Sequence, residues 1–196
     1  LCDLGVYDYG GGAFHCVHMS EHDLDLFKEK HLNIVTNPAS NLKLASGIAP
    51  IQAMLQRKIN ICLGTDGPAS NNCLDMFREV FLVTGLAKYK NCDASAVDAY
   101  EVLKMATVNA AKALYLNCGV LEVGKLADLI ILDLHQPNMQ PINNVAKNIV
   151  YSGSKSNVKC TMVNGKILYE DGHFHVGFEI ETLYDEVQKR VERLMR

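Results

Sequence analysis

The chain has 196 residues, 48% of them hydrophobic, and a formal net charge of −3 at pH 7. That length and hydrophobic content are enough for one sizeable core or two small ones, and a disordered chain is not the expectation. No apolar run nears the ~20 residues of a membrane span and no basic block attracts phosphates or anionic lipid, so neither membrane nor nucleic acid is an expected partner. The seven cysteines are odd in number, scattered and without a CxxC pair, which fits reduced thiols in a cytoplasmic protein and neither a disulfide framework nor a thiolate zinc site. The opening Leu1-Cys2-Asp3 has no initiating Met and no leader pattern, so the chain is expected to be a piece of a longer protein and not a secreted precursor.

In chain order, residues 13–17 form a short apolar run that predicts a strand. Ser20 is the expected N-cap of a helix through Leu24 and Phe27 to about Lys30. The β-branched run 32–35 predicts a second strand, followed by a polar loop with Asn37, Pro38, Ser40, Asn41 and Gly47 and by helical spacing at Ile51, Met54 and Leu55. A third unit runs from a strand at 60–63 through a loop at 64–72 into a helix with Leu74, Phe77, Val80, Phe81 and Thr84 on one face. Three strand–loop–helix units in series predict parallel strands with right-handed crossovers.

Two more helices are expected across about residues 96–116, the first capped by Ser95 with Asp98 three residues on, the second opened by Thr107. The texture then changes to strands at 128–132, 157–163 and 166–169, with Asn164-Gly165 as a hairpin turn. Ile180, Leu183, Tyr184, Val187, Val191 and Leu194 recur at helical spacing, which predicts a terminal amphipathic helix packed on its own chain.

In parallel α/β folds the loops leaving the C-terminal ends of the strands build the site. Those loops hold His15-Cys16-Val17-His18, Asn37-Pro38-Ala39-Ser40-Asn41 and Gly64-Thr65-Asp66-Gly67. Asp66, an acid between two glycines at a strand end, is the best single candidate, with a turn or capping aspartate as the equal alternative on spacing alone.

These segments, with Leu42-Lys43-Leu44, Ala69-Ser70-Asn71-Asn72 and Met105-Ala106-Thr107, resemble the amidohydrolase superfamily, most of all its branch of methylthioadenosine/S-adenosylhomocysteine deaminases and chlorohydrolases. Residues 124–130 and Val163-Asn164-Gly165-Lys166 are similar to that family's closing β segment. The resemblance implies an α/β fold: the C-terminal part, about three βα units, of a (β/α)8 TIM-type barrel, with part of a small β domain. Residues 1–118 would be barrel, 119–176 the β segment and 177–196 a C-terminal amphipathic helix. It further implies that Asp66 ligates one divalent metal, zinc or iron, in the complete protein and relays a proton, and that His15 polarises the attacking water; Asn41, Ser70 and Asn71 are the candidate substrate contacts. A bound metal lowers the pKa of water toward ~7. The implied activity is hydrolytic deamination of an adenosine-type nucleoside, in a cytoplasmic homo-oligomer, with guanine deaminase or triazine chlorohydrolase chemistry as the alternative.

The family's paired HxH ligands, and its histidine with a nearby glutamate, have no counterpart in this chain and are expected upstream of Leu1. Thr36 stands where many relatives carry a histidine. The isolated chain is therefore expected to be inactive, a fragment or assembly module. His173-Phe174-His175 spells an HxH whose side chains would lie about 6.6–7 Å apart on one face of a strand, but it follows Glu170-Asp171-Gly172 in the β segment and is expected to be a surface pair. His18, His22, His31 and His135 have no second ligand at helical or strand spacing.

Overall fold

The computed structural model describes residues 1–195. The first unit is strand β1, Gly12–Phe14, and helix α1, Glu21–Glu29. Ser20 starts α1 with a reciprocal cap: its hydroxyl accepts the Asp23 amide and the Asp23 carboxylate accepts the Ser20 amide, so two donors without intrahelical partners are satisfied. Strand β2, Asn33–Thr36, leads into helices α2, Pro38–Lys43, and α3, Ile51–Gln56. Strand β3, Asn60–Leu63, leads into the single-turn α4, Pro68–Asn71, and the long α5, Met76–Asn91.

α1 and α3 leave for the next strand by one device. His31 (φ 51°) and Lys58 (φ 59°) turn left-handed, and the following Leu32 and Ile59 amides donate back to Phe27 and Met54 carbonyls at 2.9 and 3.2 Å. That closure satisfies helix-end carbonyls and drops an apolar residue into the core as each strand begins.

β1, β2 and β3 form a parallel sheet in that order, with Phe14, Val35 and Cys62 level across it. Two further bonds carry the ladder past the strands, His15 N–H to the Val35 carbonyl at 2.8 Å and Gly64 N–H to the Thr36 carbonyl at 3.0 Å. The three C-terminal ends therefore emerge side by side. Ile34, Ile61, Met54, Leu24, Val83, Val102 and Met105 close the core between sheet and helices.

Helices α6, Ala99–Ala106, and α7, Val108–Ala113, follow, and then β4, Leu129–Leu132. Helix α8, Val145–Ser152, was not anticipated from sequence: its inward stripe is only Ala146 and Val150, which join the main core. Strands β5, Val158–Val163, β6, Lys166–Glu170, and β7, His173–Phe174, complete an antiparallel sheet in the order β4-β5-β6-β7. Asn164 (φ 49°) and Gly165 (φ 76°) make the tight β5–β6 turn, the backbone pairing that Asn-Gly favours. Helix α9, Ile180–Leu194, ends the described chain.

Several expectations need correction. β1 stops at Phe14 because His15 and Cys16 turn to positive φ, 64° and 48°. The polar stretches after β2 and β3 each contain a short helix opened by proline at its first position. α6 is capped by Asp98, whose carboxylate accepts the Tyr100 and Glu101 amides, while Ser95 is drawn into a local turn with Asp93. The buried face of α5 is Glu79, Val80, Val83, Thr84 and Ala87, with Phe81 exposed. α9 is helical as its spacing demands, but none of its residues is buried. No described helix is long and apolar enough to cross a membrane.

Ile61 lies at the centre of the sheet with 0% exposure, so Ile61→Ala should cost about 2–5 kcal/mol. Urea unfolding followed by circular dichroism measures it, and a loss under 1 kcal/mol would contradict this placement of the core.

Candidate active site

The three level strand ends present His15 after β1, Asn37 after β2 and Gly64-Thr65-Asp66 after β3. Asn37 fits because Gly64 has no side chain: a Cβ there would stand 2.6 Å from the Asn37 Oδ1. Asp66 itself adopts a left-handed φ of 61°, as His15 does at 64°, a conformation costing a non-glycine residue of order 1–3 kcal/mol and typical of functional sites.

Asp66 is gripped from two directions. Its Oδ2 accepts hydrogen bonds from the Ser40 hydroxyl at 2.6 Å and the Ser70 hydroxyl at 2.7 Å, and its Oδ1 accepts the Gly67 amide at 2.8 Å. Those donors, Ser40 foremost, then Ser70, then Gly67, lower its pKa to about 2. A carboxylate offers about four lone-pair positions, so one on Oδ1 is left without a protein donor.

His15 is oriented from behind. Its Nδ1–H donates to the Asn41 Oδ1 at 2.8 Å. The Asn37 amide nitrogen, 3.5 Å from the same ring atom, adds no bond to a protonated Nδ1. In the neutral ring this leaves Nε2 as the unprotonated nitrogen, 3.8 Å from the Asp66 Oδ2. Both side chains keep an open side, with 40% and 30% exposure, so small molecules can reach them.

The structure thus brings Asp66, His15, Asn41 and Ser70 together. Asn41, Ser70 and Asn71, expected to offer polar groups to a substrate, are here engaged by the protein: Asn41 by His15, Ser70 by Asp66, and Asn71 by the Thr65 carbonyl at 2.6 Å and Glu79 at 2.8 Å. Among the described residues, His18, His22, His31, His135, His173 and His175 join no group of three or more His, Cys, Asp or Glu side chains able to hold a metal, and His173 lies exposed on β7. Burial pushes the Cys16 and Cys62 thiols up to about 11, so both are inert at neutral pH.

Sequence reasoning missed Ser40 and Glu79 as site residues. The signal was present: the tetrapeptide Pro-Ala-Ser-Asn occurs twice, at 38–41 and 68–71. The structure puts both copies in the same place in successive units, each as a short helix with its serine on Asp66.

The amidohydrolase family model matches residues 7–168 of this chain. The chain belongs to the amidohydrolase family. Among curated relatives, it is 45% identical over 198 residues to the 5-methylthioadenosine/S-adenosylhomocysteine deaminase of Caldanaerobacter subterraneus subsp. tengcongensis, covering 100% of this chain and 46% of that protein. It is 44% identical over 195 residues to the 5'-deoxyadenosine deaminase of Methanosarcina mazei, covering 100% and 45%. The chain therefore spans about half the length of these relatives. A solved adenosine deaminase from Xanthomonas campestris with bound zinc superposes with a TM-score of 0.94 at 34% identity, over 99% of this chain and 44% of that one. The three parallel βα units are thus part of an amidohydrolase barrel, carried with a small antiparallel sheet.

As a fit for a metal, this amidohydrolase chain supplies a carboxylate oxygen and an imidazole nitrogen side by side, donor types that zinc accepts. Among the described residues no group of three or more His, Cys, Asp or Glu side chains converges, while a catalytic zinc draws three protein ligands. The residues fit as one part of a donor set.

The Asp66 bonds have a pH signature. The carboxyl titrates lower folded than unfolded, so the stability they contribute is complete above about pH 4, the unfolded value, and is lost as pH falls through the folded value of about 2. The Asp66 ¹³Cγ shift of the metal-free chain should titrate near 2, and Ser40→Ala should raise that midpoint; an ordinary midpoint in the unsubstituted chain would refute the geometry.

Proposed function

We propose that the protein carrying this chain is a metal-dependent hydrolytic deaminase of adenosine-type nucleosides, with 5'-methylthioadenosine or S-adenosylhomocysteine as the substrate type. The observation that carries the reading is the pairing of Asp66 and His15, 3.8 Å apart and each oriented by its own bonds at the sheet's C-terminal end. The adenosine-type substrate is supported by two relatives matched along the whole chain, both named as deaminases of such nucleosides. A guanine deaminase of E. coli is less similar, with a TM-score of 0.70 and 26% identity over 80% of this chain.

In this reading Asp66 holds one divalent metal, zinc or iron, with further ligands from the length that the relatives have and this chain does not. When bound, the metal supplies a water acidified toward a pKa of ~7. Asp66 also accepts the proton that water gives up, and Ser40 and Ser70, which donate to its Oδ2, stabilise the carboxylate while it is ionised. Its low pKa makes it a weak base by itself and a good temporary carrier, returning the proton to the leaving amine. His15, fixed by Asn41 with Nε2 forward, accepts a hydrogen bond from the attacking water and aims it at the amidine carbon. Water oxygen adds to that carbon, its proton passes through Asp66, and the C–N bond breaks with release of ammonia. Positioned acid–base groups of this kind contribute about 10²–10⁴ in rate.

Residues 1–118 act as the barrel part, 119–176 as the β segment and 177–196 as a terminal helix, in a cytoplasmic homo-oligomer. The isolated chain, with an incomplete donor set, turns nothing over. It also exposes the open edge β1, where Phe14 is 69% accessible, and the apolar stripe of α9. Unpaired strand edges and uncovered apolar faces associate, so light scattering should report species larger than a monomer; a clean monomer would remove that expectation.

In the full-length enzyme, Asp66→Asn should abolish release of ammonia from 5'-methylthioadenosine, read by coupled detection of ammonia and by the change in purine absorbance. Retained turnover would remove Asp66 from the mechanism. Faster turnover of guanine or a chlorotriazine than of adenosine-type nucleosides would replace the substrate assignment while keeping the site.

A further inference from the structure

Glu79 is the only Asp, Glu, Lys or Arg side chain buried among the described residues, and its exposure is 0%. It projects from α5 into the space beneath the two loops that carry the site. Its Oε2 accepts the Ala39 amide at 3.0 Å, and its Oε1 accepts the Asn71 side-chain amide at 2.8 Å. Ala39 is the second residue of α2, where a backbone amide has no intrahelical acceptor. Asn71 closes α4 and also donates to the Thr65 carbonyl at 2.6 Å, one residue before Asp66.

The two oxygens of Glu79 thus tie together the two Pro-Ala-Ser-Asn turns, and the same turns meet again above, where Ser40 and Ser70 both donate to Asp66. The residue that orients His15, Asn41, lies two positions beyond Ala39 in the first turn. A leucine in place of Glu79 would be cheaper to bury. It would accept neither donor, and each turn would then settle independently.

We infer that Glu79 is a positioning residue for the Asp66–His15 pair, setting the spacing of the two turns so that both serines reach one carboxylate oxygen while Asn41 holds the imidazole. The inference rests on the site reading given above and adds to it a residue that never touches the substrate. Its effect reaches the chemistry through the Asn41–His15 bond and the Ser40–Asp66 bond. Supporting groups of this kind typically change activity or metal affinity by 10–100-fold when removed.

The test uses Glu79→Gln, which keeps the size and one acceptor for the Asn71 side-chain amide but turns a donor toward the Ala39 amide. In the ¹⁵N-labelled chain, His15 should lose its pure Nδ1–H tautomer pattern and the Ala39 amide should exchange at least about tenfold faster. In the full-length enzyme, kcat should fall about 10–100-fold with KM within about twofold. A folded Glu79→Gln protein with unchanged tautomer, exchange and kcat would overturn the inference. Should that variant not fold, the unsubstituted chain decides: Ala39 must be slow to exchange although it sits at a helix start, and a fast amide would overturn the inference equally. The two readings separate cleanly, because active Asp66→Asn with a disturbed His15 in Glu79→Gln removes the proposed chemistry and leaves the positioning device. Inactive Asp66→Asn with an undisturbed Glu79→Gln does the reverse.

Discussion

Parallel pairing of β1, β2 and β3 with Phe14, Val35 and Cys62 level is the constraint on which the site depends. In-register parallel strands send their C-terminal ends out at one height, so the residues that follow are neighbours regardless of their separation in sequence. His15 and Ser40 are 25 positions apart and Ser40 and Asp66 a further 26, yet the three converge on one carboxylate and one imidazole. Holding the register is a core in which Ile34 and Ile61 of the strands pack with Met54 and Leu24 of the helices, and a slip of one residue would turn Ile34 or Ile61 to the opposite face. The left-handed exits at His31 and Lys58 help fix that register, because each delivers the first apolar residue of the next strand at a set point.

The alternation of strand and helix was legible in the sequence because apolar periodicity reports which face of an element meets the core, and in this half of the chain that face is well marked. The N-cap at Ser20 and the Asn-Gly turn were legible for a local reason: the chemistry that makes them lies within a few residues. Spacing points to Ser95 as the cap of α6 because Ser95 with Asp98 three residues on imitates a capping box, whereas Ser95 donates to Asp93 and Asp98 itself accepts the Tyr100 and Glu101 amides. α8 escaped notice because two buried residues, Ala146 and Val150, are too few to set a period. Asp66 stood out as a site candidate from type and place, and His15 through the family resemblance of the segment that carries it. Ser40 and Glu79 did not, since a serine in a polar loop and a glutamate on a helix are commonplace, and their meaning lies in partners 26 and 40 residues away.

The surfaces that remain open follow from the same architecture. A groove of about 550 Å³ separates the helices from the small sheet, lined by Phe77, Leu103, Ile130 and Met162 among others, and Ile131 and the stripe of α9 are exposed. Amphipathicity made α9 legible as a helix, but it specifies only that an apolar face exists. Whether that face is covered depends on partners within or outside the chain, which is why the expectation that α9 packs on its own chain failed while the helix itself is present. Curated relatives about twice as long as this chain have additional polypeptide with which to cover such faces.

Two carboxylates grip the same pair of turns, and their opposite titration behaviour shows what each contributes. Asp66 receives three donors while still open to water, so stabilisation of the anion outweighs desolvation and its pKa falls. Glu79 receives two donors in a dry interior, where desolvation wins and its pKa rises. The exposed acid is the more firmly ionised, and the buried one is kept anionic only to the extent that Ala39 and Asn71 stay aimed at it. A loosening of either turn would therefore act twice, removing a hydroxyl from Asp66 above and a donor from Glu79 below. The first change weakens the site's anion, and the second raises the cost of the charge that holds the turns together. Coupled in this way, the two turns tend to keep or lose their geometry together, and the open acid is precise because the closed one is satisfied.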